Sequence, residues 1–399
     1  MSRKHFLILL AVLVVLGAAG AWITWADRSD WQKVDMRVGQ KMLPAFKAVD
    51  VAEIALRDGR GEVHLRKTGT EWTVQERADF PVDVSRLSEM LNKTSDLKIV
   101  QTEKLEAAQR AGFQLVEPPA GKAASANGAE VAGGGTVVEM KDAAGKPMAR
   151  LLLGKIVTKR VTESPEPGQP PREFDKPVGR HLMAGSDAAN MLVVSDALVQ
   201  AEAKPDAWLA KEVLHIDRTK SITVNGPDGA ERWIVSRIEE GNWWNFGETG
   251  TRPDQQKAQD SVSPLYAVNI VDVVPDVAAV KTGLDKPLIA TARTFDNLTY
   301  TLKIGNKIEG AKPEDNRYYV SFSIAGDPPK ERTPEKNEKK EDTEKKAKEY
   351  ADYRVKLLEQ VAREKKYSKW TFLFPARPVE PLLRSHAEMM PDKKPAAKK

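Results

Sequence analysis

Two adjacent tryptophans, Trp243 and Trp244, lie in the polar stretch EGNWWNFGETGTRPD at residues 240–254. An exposed indole ring can stack on a sugar or on a nucleic acid base, and Trp233 on the preceding predicted strand could complete an aromatic platform with Trp243. The pair can equally be one core residue and one surface residue, because tryptophan is highly buried on average. The segment therefore has two interpretations, a ligand platform or part of the protein core.

Acidic side chains around the tryptophans suggest a second chemistry, hydrolysis. Glu239 and Glu240 precede the pair and Glu248 follows it. A glycosidase needs two carboxylates roughly 5–10 Å apart across a cleft. Because the chain has 57 acidic residues, proximity in sequence says little about such a pair. A cavity that holds two close acids with raised pKa values would support a hydrolase.

The other reactive residue types form no compact catalytic motif. The histidines are His5, His64, His181, His215 and His386. None of them lies three or four residues from another, and HExxH is missing, so a histidine metal site would need long-range convergence. GxSxG is also missing, and the glycine run AEVAGGGT lacks the phosphate-binding pattern. The sequence predicts no catalytic residue, no metal site and no cofactor.

Composition narrows the classes of partner. The chain has no cysteine, which excludes disulfides, thiolate metal sites and cysteine nucleophiles. Its net charge of +5 is a small surplus of 62 basic over 57 acidic residues. Proteins that bind nucleic acid usually carry a clustered basic face. We therefore expect no nucleic acid partner.

The N-terminal residues predict attachment to a lipid bilayer. Phe6 to Ala26 is an uncharged run of 21 residues, and about twenty apolar residues in a helix cross a hydrocarbon core of roughly 30 Å. Arg3 and Lys4 precede the run, so we expect the N-terminus in the cytoplasm and the bulk of the chain in the periplasm, with the span in the bacterial inner membrane. A cleaved signal peptide is the alternative, because LGAAGA offers small residues for cleavage. The following WITW extends the apolar run and favours the uncleaved anchor.

The elements that position these residues occur twice along the chain. Residues 50–104 and 217–276 each read as a three-stranded meander, a helix and a further strand, followed by a glycine turn and a hairpin. In each, a proline–aspartate entry suits a helix N-cap. The helices that follow have apolar residues at helical spacing: Leu87, Met90 and Leu91 in the first, and Val262, Leu265 and Tyr266 in the second. The matched positions are Trp72 with Trp244, Asp83 with Asp254, Gly112 with Gly283, and Gly154 with Gly305. The second and third of these pairs have the same offset of 171 residues. The shared offset predicts a duplicated module rather than two unrelated meanders.

The sequence therefore predicts an α+β fold: a tandem repeat of two similar modules, each an antiparallel meander, a helix and a hairpin, behind one N-terminal transmembrane helix. The predicted segments are 1–28 (anchor), 29–49 (connector), 50–210 (first module), 211–325 (main part of the second module), 326–366 (insertion), 367–390 (closing strand and helix of the second module) and 391–399 (basic tail). The insertion is charged and low in complexity, so we expect it to range from disordered to helical. It would be either a solvated surface arm or a helix that binds a partner.

The order of these motifs resembles that of the bacterial domain-of-unknown-function family numbered 4340. The resemblance rests on WTV at 72–74, FPVD at 80–83, GFQLVEPP at 112–119 and LLLGK at 151–155. It covers roughly residues 45–320 and 367–390. It implies a membrane-anchored envelope protein with an accessory or binding role, since some members are similar to auxiliary components of gliding-motility-type ABC transport systems. It implies no catalytic residue, and the long loops 120–135, 159–178 and 326–366 depart from the family pattern.

Three functions remain open at this point. The leading one is a non-enzymatic envelope protein that binds or scaffolds other proteins, with an ABC-type transport complex as a candidate partner. The second is a carbohydrate or cell-wall binding module that uses Trp243 and Trp233. The third is an exported hydrolase with a site built from scattered carboxylates.

The repeat distinguishes the two adjacent tryptophans. Aligning GTEWTV with GNWWNF through their glycines places Trp244 opposite Trp72, on the face expected beneath the helix. Trp243 aligns with Glu71, and strand alternation turns it to the other face. A slip of one residue would exchange the two roles. The sequence predicts a buried Trp244 and an outward Trp243.

A chain that lacks residues 1–28 should leave the membrane fraction after a high-salt wash, because the truncation removes the predicted span. Fractionation followed by immunoblotting measures this, with the full-length chain from the same cells as the control. Retention of the truncated chain on washed membranes would show that the anchor prediction is wrong.

Overall fold

The computed structural model describes residues 37–119, 131–163, 171–185, 189–247, 251–275, 277–334, 338 and 340–392. The chain divides into two compact units. Unit 1 contains the chain up to His64 together with Ser85–Ala203, and unit 2 contains Leu65–Val84 together with the chain from Lys204 onward. Both units combine antiparallel strands with helices, so the predicted α+β class is confirmed.

Most of the regular structure is strand. In chain order the strands are β1 (Val51–Arg57), β2 (Glu62–Thr68), β3 (Glu71–Val74), β4 (Phe80–Pro81), β5 (Ile99–Lys104), β6 (Thr136–Asp142), β7 (Pro147–Glu163), β8 (Arg172–Ala184), β9 (Asn190–Val194), β10 (Glu212–Leu214), β11 (Thr219–Asn225), β12 (Glu231–Ser236), β13 (Val268–Asn269), β14 (Asp272–Val274), β15 (Leu288–Thr294), β16 (Thr299–Ile308), β17 (Arg317–Ala325) and β18 (Thr371–Pro375).

Helices are fewer and, with two exceptions, short. The α-helices are α1 (Val84–Asp96), α2 (Gln255–Val262), α3 (Ala279–Thr282), α4 (Lys340–Tyr367), α5 (Ala376–Val379) and α6 (His386–Met389). The 3-10 helices are Ala48–Asp50, Gln75–Arg77, Ala107–Phe113, Pro205–Trp208, Ser263–Leu265, Pro313–Asp315 and Glu380–Leu383.

In unit 1 an antiparallel sheet has the strand order β1-β6-β7-β8-β9-β5. Alternation along β1 buries Ile54 and Leu56, as expected for a strand with one face toward the core. Helix α1 buries Leu87, Met90 and Leu91, whose spacing of three and four residues places them on one helical face. The predicted apolar face of this helix is confirmed.

In unit 2 the sheet order is β12-β11-β15-β16-β17-β18-β14, again antiparallel throughout. Strands β10 and β13 form a separate two-stranded ladder. The core on this sheet is aromatic: the ring centroids of Phe322 and Phe372 lie 5.5 Å apart in a stacked arrangement, and those of Phe372 and Phe374 lie 6.1 Å apart. Buried aromatic pairs of this kind add to the free energy gained by burial alone.

The segment Leu65–Val84 belongs to unit 2, whereas the sequence predicts residues 50–210 as one module. The reason is Phe80, which is fully buried. Its ring centroid lies 5.3 Å from that of Tyr367, 5.0 Å from that of Trp370 and 5.9 Å from that of Phe372. Because an aromatic ring contributes a large buried area, these contacts join β3 and β4 to the core of unit 2.

Helix α4 occupies most of the predicted insertion at 326–366. Its C-terminal half buries Leu357, Val361, Glu364 and Tyr367, which recur at helical spacing. The helix contacts β17 and β10. A solvated surface arm is therefore the wrong description of this half of the helix, since its apolar stripe packs into the core of unit 2.

The membrane prediction falls on residues that the structure does not describe. Among the described residues, every helix is too short or too polar to cross a bilayer. The predicted span Phe6 to Ala26 lies outside them, as do residues 120–130 of the predicted glycine-rich loop and residues 393–399 of the basic tail.

Glu364 is a carboxyl group buried inside unit 2, with 2% of its surface exposed. It accepts hydrogen bonds from the backbone nitrogen of His215 at 2.9 Å, the side-chain amide of Gln360 at 3.0 Å and the hydroxyl of Tyr300 at 3.4 Å. Burial raises the pKa of Glu364 from 4.5 to about 7, because the charged form loses its hydration, and the three hydrogen bonds oppose this rise. Helix α4 is thus held at its C-terminal half by an acid that is readily protonated.

The stability of unit 2 should fall as the pH rises from about 4.5 to about 7. The folded carboxyl of Glu364 binds a proton that the unfolded chain releases, so its stabilising effect is complete below the unfolded pKa and is lost as the pH rises through the folded pKa. Glu364→Gln keeps the shape but cannot ionise, and should remove about 3 kcal/mol of this pH dependence. Urea unfolding at a series of pH values measures the free energy of unfolding as a function of pH.

The exposed acid Glu359 on the same helix provides the matched control. Glu359→Gln should leave the slope of unfolding free energy against pH unchanged. If Glu364→Gln and the unsubstituted chain have equal slopes, the buried carboxyl does not titrate as described.

Candidate functional site

The tryptophan pair lies on a hairpin that continues from β12. The backbones of Ser236 and Asn245 exchange two hydrogen bonds, of 2.8 and 2.9 Å. We call residues 236–245 the tryptophan hairpin. Counting inward from this bridge places Arg237 opposite Trp244 and Ile238 opposite Trp243. Paired residues point to the same side and neighbours alternate, so the hairpin has an inner face (Arg237, Trp244) and an outer face (Ile238, Trp243).

Trp244 is a core residue, as the sequence predicts: only 3% of its surface is exposed. Its backbone nitrogen donates to Oε1 of Gln255 at 2.8 Å, and its carbonyl oxygen accepts from Nε2 of the same side chain at 2.9 Å. Its indole Nε1 donates to Oε1 of Gln259 at 3.2 Å. Both glutamines lie on α2, so the prediction that Trp244 packs beneath this helix is confirmed.

The third strand predicted at WWNF is not formed, and Gln255 gives the physical reason. A strand would pair the backbone groups of Trp244 with a neighbouring strand, but here one side-chain amide satisfies both of them. Of that predicted strand, only the bridge between Ser236 and Asn245 remains.

Trp243 is exposed on the outer face, with 62% of its surface accessible. Ile238 on the same face is 81% exposed. The guanidinium carbon of Arg252 lies 5.9 Å from the centre of the Trp243 ring, within the range of a cation–π contact. The outer face therefore presents two large apolar side chains beside a cation.

Trp233 does not join this face, so the predicted platform of Trp243 and Trp233 is wrong. Only 1% of the surface of Trp233 is exposed, and its indole nitrogen donates to the carbonyl oxygen of Arg384 at 2.8 Å. Alternation along β12 turns Trp233 and Val235 into the core together. Aromatic stacking on a ligand at this hairpin would rest on Trp243 alone.

Two of the predicted repeat markers are aspartates before helices. Asp254 is the N-cap of α2, and its Oδ1 accepts a hydrogen bond from the backbone nitrogen of Lys257 at 3.0 Å, as predicted. Asp83 directly precedes α1, and its backbone nitrogen donates to the carbonyl oxygen of Trp208 at 2.7 Å. Trp72 lies half-buried in β3.

Three of the four predicted glycine markers lie at a close backbone contact or at a helix end. A Cβ on Gly154 would collide with the carbonyl oxygen of Phe113, and a Cβ on Gly305 would collide with that of Thr282. Gly283 ends α3 with a φ of 73°, a conformation that favours glycine. Gly112 lies inside the 3-10 helix Ala107–Phe113 rather than in the turn predicted there.

A cavity of about 320 Å³ lies in unit 2 at the inner face of the hairpin. Its lining includes Arg218, Arg237, Gln259 and Tyr266, with apolar contributions from Ile216 and Val262. Cavities that bind small molecules begin at about this size and combine apolar walls with a few polar groups. The sequence predicted Val262 and Tyr266 only as apolar residues of a helix and did not predict a cavity, because its lining comes from three separate segments.

The two arginines of the cavity differ in their partners. Arg218 forms ion pairs with Glu240 and with the buried Asp296, whose carboxylate also accepts from the hydroxyl of Tyr353 at 2.8 Å. Arg237 donates from Nε to the carbonyl oxygen of Thr219 at 2.9 Å. Its guanidinium carbon lies 4.6 Å from the centre of the Trp244 ring, which fixes the side chain in place. Burial lowers the pKa of Arg237, against the opposing charges of Glu240 and Asp217.

Two buried acids have raised pKa values, but neither lines the 320 Å³ cavity of unit 2 or the 230 Å³ cavity of unit 1. Burial raises the pKa of Asp296 and that of Glu364, and both carboxyls are hydrogen-bonded by protein groups. Of the acids near the tryptophans, Glu239 is exposed, Glu240 pairs with Arg218, and Glu248 lies outside the described residues. The arrangement expected of a hydrolase, two close acids in a cavity, is not assembled from these groups.

Unit 1 contains a second cavity, of about 230 Å³, beside Arg180. The guanidinium of Arg180 donates to the carbonyl oxygens of Gly154 at 2.8 Å, Ala197 at 3.2 Å and Leu198 at 3.4 Å. Burial lowers the pKa of Arg180 to about 10. Through these bonds from Nε and Nη1, Arg180 holds β8 to the chain after β9.

The described histidines are dispersed. His64 faces Glu62 on β2 with 3.4 Å between Nε2 and Oε1, and the ring of His215 packs on Tyr266 with centroids 4.3 Å apart. His181 and His386 pack on the rings of Phe113 and Phe246. Within the described ranges, no three histidine, aspartate or glutamate side chains are grouped so that they could hold a metal ion.

Comparison with known proteins gives no relative: no protein-family model, curated protein or solved structure matches this chain. The resemblance to the domain-of-unknown-function family 4340 stays a prediction. The candidate site is the tryptophan hairpin with its inner and outer faces.

Trp244→Ala should lower the free energy of unfolding by about 3–5 kcal/mol, because it leaves a large cavity and exposes the bonds to α2. Trp243→Ala, its neighbour in the chain, should change it by less than about 0.5 kcal/mol because the ring is exposed. Urea unfolding of the two variants measures both. Equal losses would contradict the assignment of the two faces.

Proposed function

We propose that this chain is a non-enzymatic, membrane-anchored periplasmic protein that binds or scaffolds other envelope proteins through the outer face of the tryptophan hairpin. It consists of two copies of one α+β module behind an N-terminal transmembrane helix. The observation that carries the proposal is the exposure of two large apolar side chains, Trp243 and Ile238, on a hairpin that Trp244 fixes to the core.

Strand order supports the tandem repeat. Unit 1 has β1-β6-β7-β8-β9-β5, and unit 2 has β11-β15-β16-β17-β18-β14. Strands at the same position in the two sheets also come in the same order along the two halves of the chain. In both halves the last strand of the sheet follows a helix: α1 precedes β5, and α2 precedes β14. Two unrelated meanders would have little reason to share a six-strand order.

A second support for the repeat comes from the glycines. In each unit a glycine on the outgoing strand of a hairpin makes room for the carbonyl oxygen of a short helix: Gly154 for Phe113 and Gly305 for Thr282. The requirement is steric, since any side chain would displace the helix. Helix α4 then occupies the connection between β17 and β18 and is an insertion in the second copy alone.

Protein binding fits the outer face better than carbohydrate binding does. Tryptophan is among the residues that most often dominate protein interfaces, and arginine accompanies it, as Arg252 does here. Trp243 alone could stack on a sugar, which keeps carbohydrate binding as the second candidate. Ile238 argues against it, because its exposed aliphatic side chain matches an apolar partner rather than hydroxyl groups.

The predicted transmembrane anchor is the remaining part of the proposed function. A span at residues 6–26 would hold the units close to the bilayer and raise their effective concentration at partners in the same membrane. An ABC-type transport complex is the candidate partner that the family resemblance implies. No cofactor or nucleic acid enters this role.

Replacing Trp243 by a photo-crosslinking amino acid should yield an adduct of defined mass when intact cells are irradiated. The control places the same amino acid at Val280 on α3, which is 74% exposed in the same unit. Adding Ile238→Ser to the position-243 chain should reduce the adduct several-fold, because it removes apolar contact area. Immunoblotting measures the yield, and equal yields at positions 243 and 280, or none at 243, would contradict the proposal.

A further inference from the structure

Arg237 is a cation at the wall of the 320 Å³ cavity in unit 2. Among the described residues, no carboxylate is hydrogen-bonded to it. In the part of the chain that the structure describes, its one side-chain hydrogen bond runs from Nε to Thr219, so its terminal nitrogens are available. Arg218 on the same wall is different, since Glu240 and Asp296 already pair with it. A guanidinium fork held against Trp244 is preorganised to donate two parallel hydrogen bonds to a planar anion.

The charges at the cavity limit the charge of a ligand. Arg218 and Arg237 contribute two positive charges to the lining and Asp217 contributes one negative charge. Glu240 and Asp296 lie just behind Arg218, and these two carboxyl groups more than offset its single positive charge. A ligand carboxylate can therefore pair with Arg237, whereas a second negative charge would face Asp217, Glu240 and Asp296.

The rest of the lining suits an apolar body. Ile216 and Val262 present aliphatic groups, and Tyr266 presents its ring. The amide of Gln259 is already used, since its oxygen accepts from Trp244 and its nitrogen donates to Ser263 at 2.7 Å. Few free polar groups remain besides Arg237, so one anionic head and one apolar body describe the complementary ligand.

We propose that this cavity binds a monocarboxylate attached to a small apolar group, with the carboxylate on Arg237 and the apolar group against Ile216, Val262 and Tyr266. The same chemistry occurs in a free aromatic or branched organic acid and at the C-terminus of a peptide that ends in an apolar residue. The site faces away from the outer face of the hairpin and does not depend on the proposed protein-binding role.

Isothermal titration calorimetry of the purified full-length chain in detergent solution tests this with phenylacetate as the probe. Phenylacetamide is the neutral control and phenyl phosphate the dianionic one. We expect phenylacetate to bind at least ten-fold more tightly than either, because a charge-assisted bidentate pair contributes about ten- to a hundred-fold in affinity. Equal binding of acid and amide, or no binding of phenylacetate at millimolar concentration, would overturn the proposal.

Two variants locate the site. Arg237→Gln should weaken phenylacetate binding at least ten-fold, while Arg252→Gln should change it less than two-fold. Arg252 is the matched control because it also lies over a tryptophan, but on the outer face. If Arg237→Gln does not fold, Arg237→Lys keeps the charge without the fork and should still weaken binding. Unchanged affinity in a folded Arg237 variant would place the anion elsewhere and overturn the assignment.

A third titration separates the two sources of the ligand. A short peptide ending in phenylalanine with a free carboxylate is compared with its C-terminal amide. Tighter binding of the free peptide than of phenylacetate identifies a peptide C-terminus, and binding of phenylacetate alone identifies a free acid. Both results support binding of a carboxylate in the cavity. Neither depends on the crosslinking yield at position 243, which tests the protein-binding role.

Discussion

The hydrogen bonds between the backbone of Trp244 and the side chain of Gln255 are the constraint on which the site depends. Buried backbone groups must find partners, and without a neighbouring strand the chain at Trp244 would otherwise lose two of them. The glutamine side chain supplies both and ties the hairpin to α2. The indole bond to Gln259 fixes the ring as well. The orientations of Arg237, Ile238 and Trp243 follow from the position of Trp244.

With Trp244 fixed inward, alternation leaves no choice for its neighbours. Arg237 is drawn under the hairpin to stack on the indole ring, and Ile238 and Trp243 are turned out to solvent. A large apolar surface held rigidly in water loses little conformational entropy when a partner covers it. The same fixed register leaves Arg237 facing a cavity without a carboxylate partner. One structural contact thus produces two distinct surfaces, an apolar outer face and a cavity with Arg237 at its wall.

The sequence was informative wherever a periodic pattern or a local cap determines structure. Alternation separated Trp244 from Trp243, helical spacing identified the face of α1, and the Pro-Asp pair marked Asp254 as a cap. Prediction from sequence failed where the residue that contacts a side chain lies far along the chain. The indole of buried Trp233 donates to the carbonyl of Arg384, and Glu364 of α4 accepts from the backbone of His215. Charged composition suggested a solvated arm, and only the tertiary contacts show that four residues of its last turns belong to the core.

Fluorine NMR of the full-length chain labelled with fluorotryptophan tests most directly that the two faces have different roles. Phenylalanine substitutions at positions 243 and 244 assign the two resonances. The Trp243 resonance should shift on transfer to heavy water and broaden when mildly solubilised envelope membranes are added, while the Trp244 resonance should do neither. A Trp243 resonance shielded from solvent in the purified chain, or one that envelope membranes leave unchanged, would contradict the different roles of the two faces.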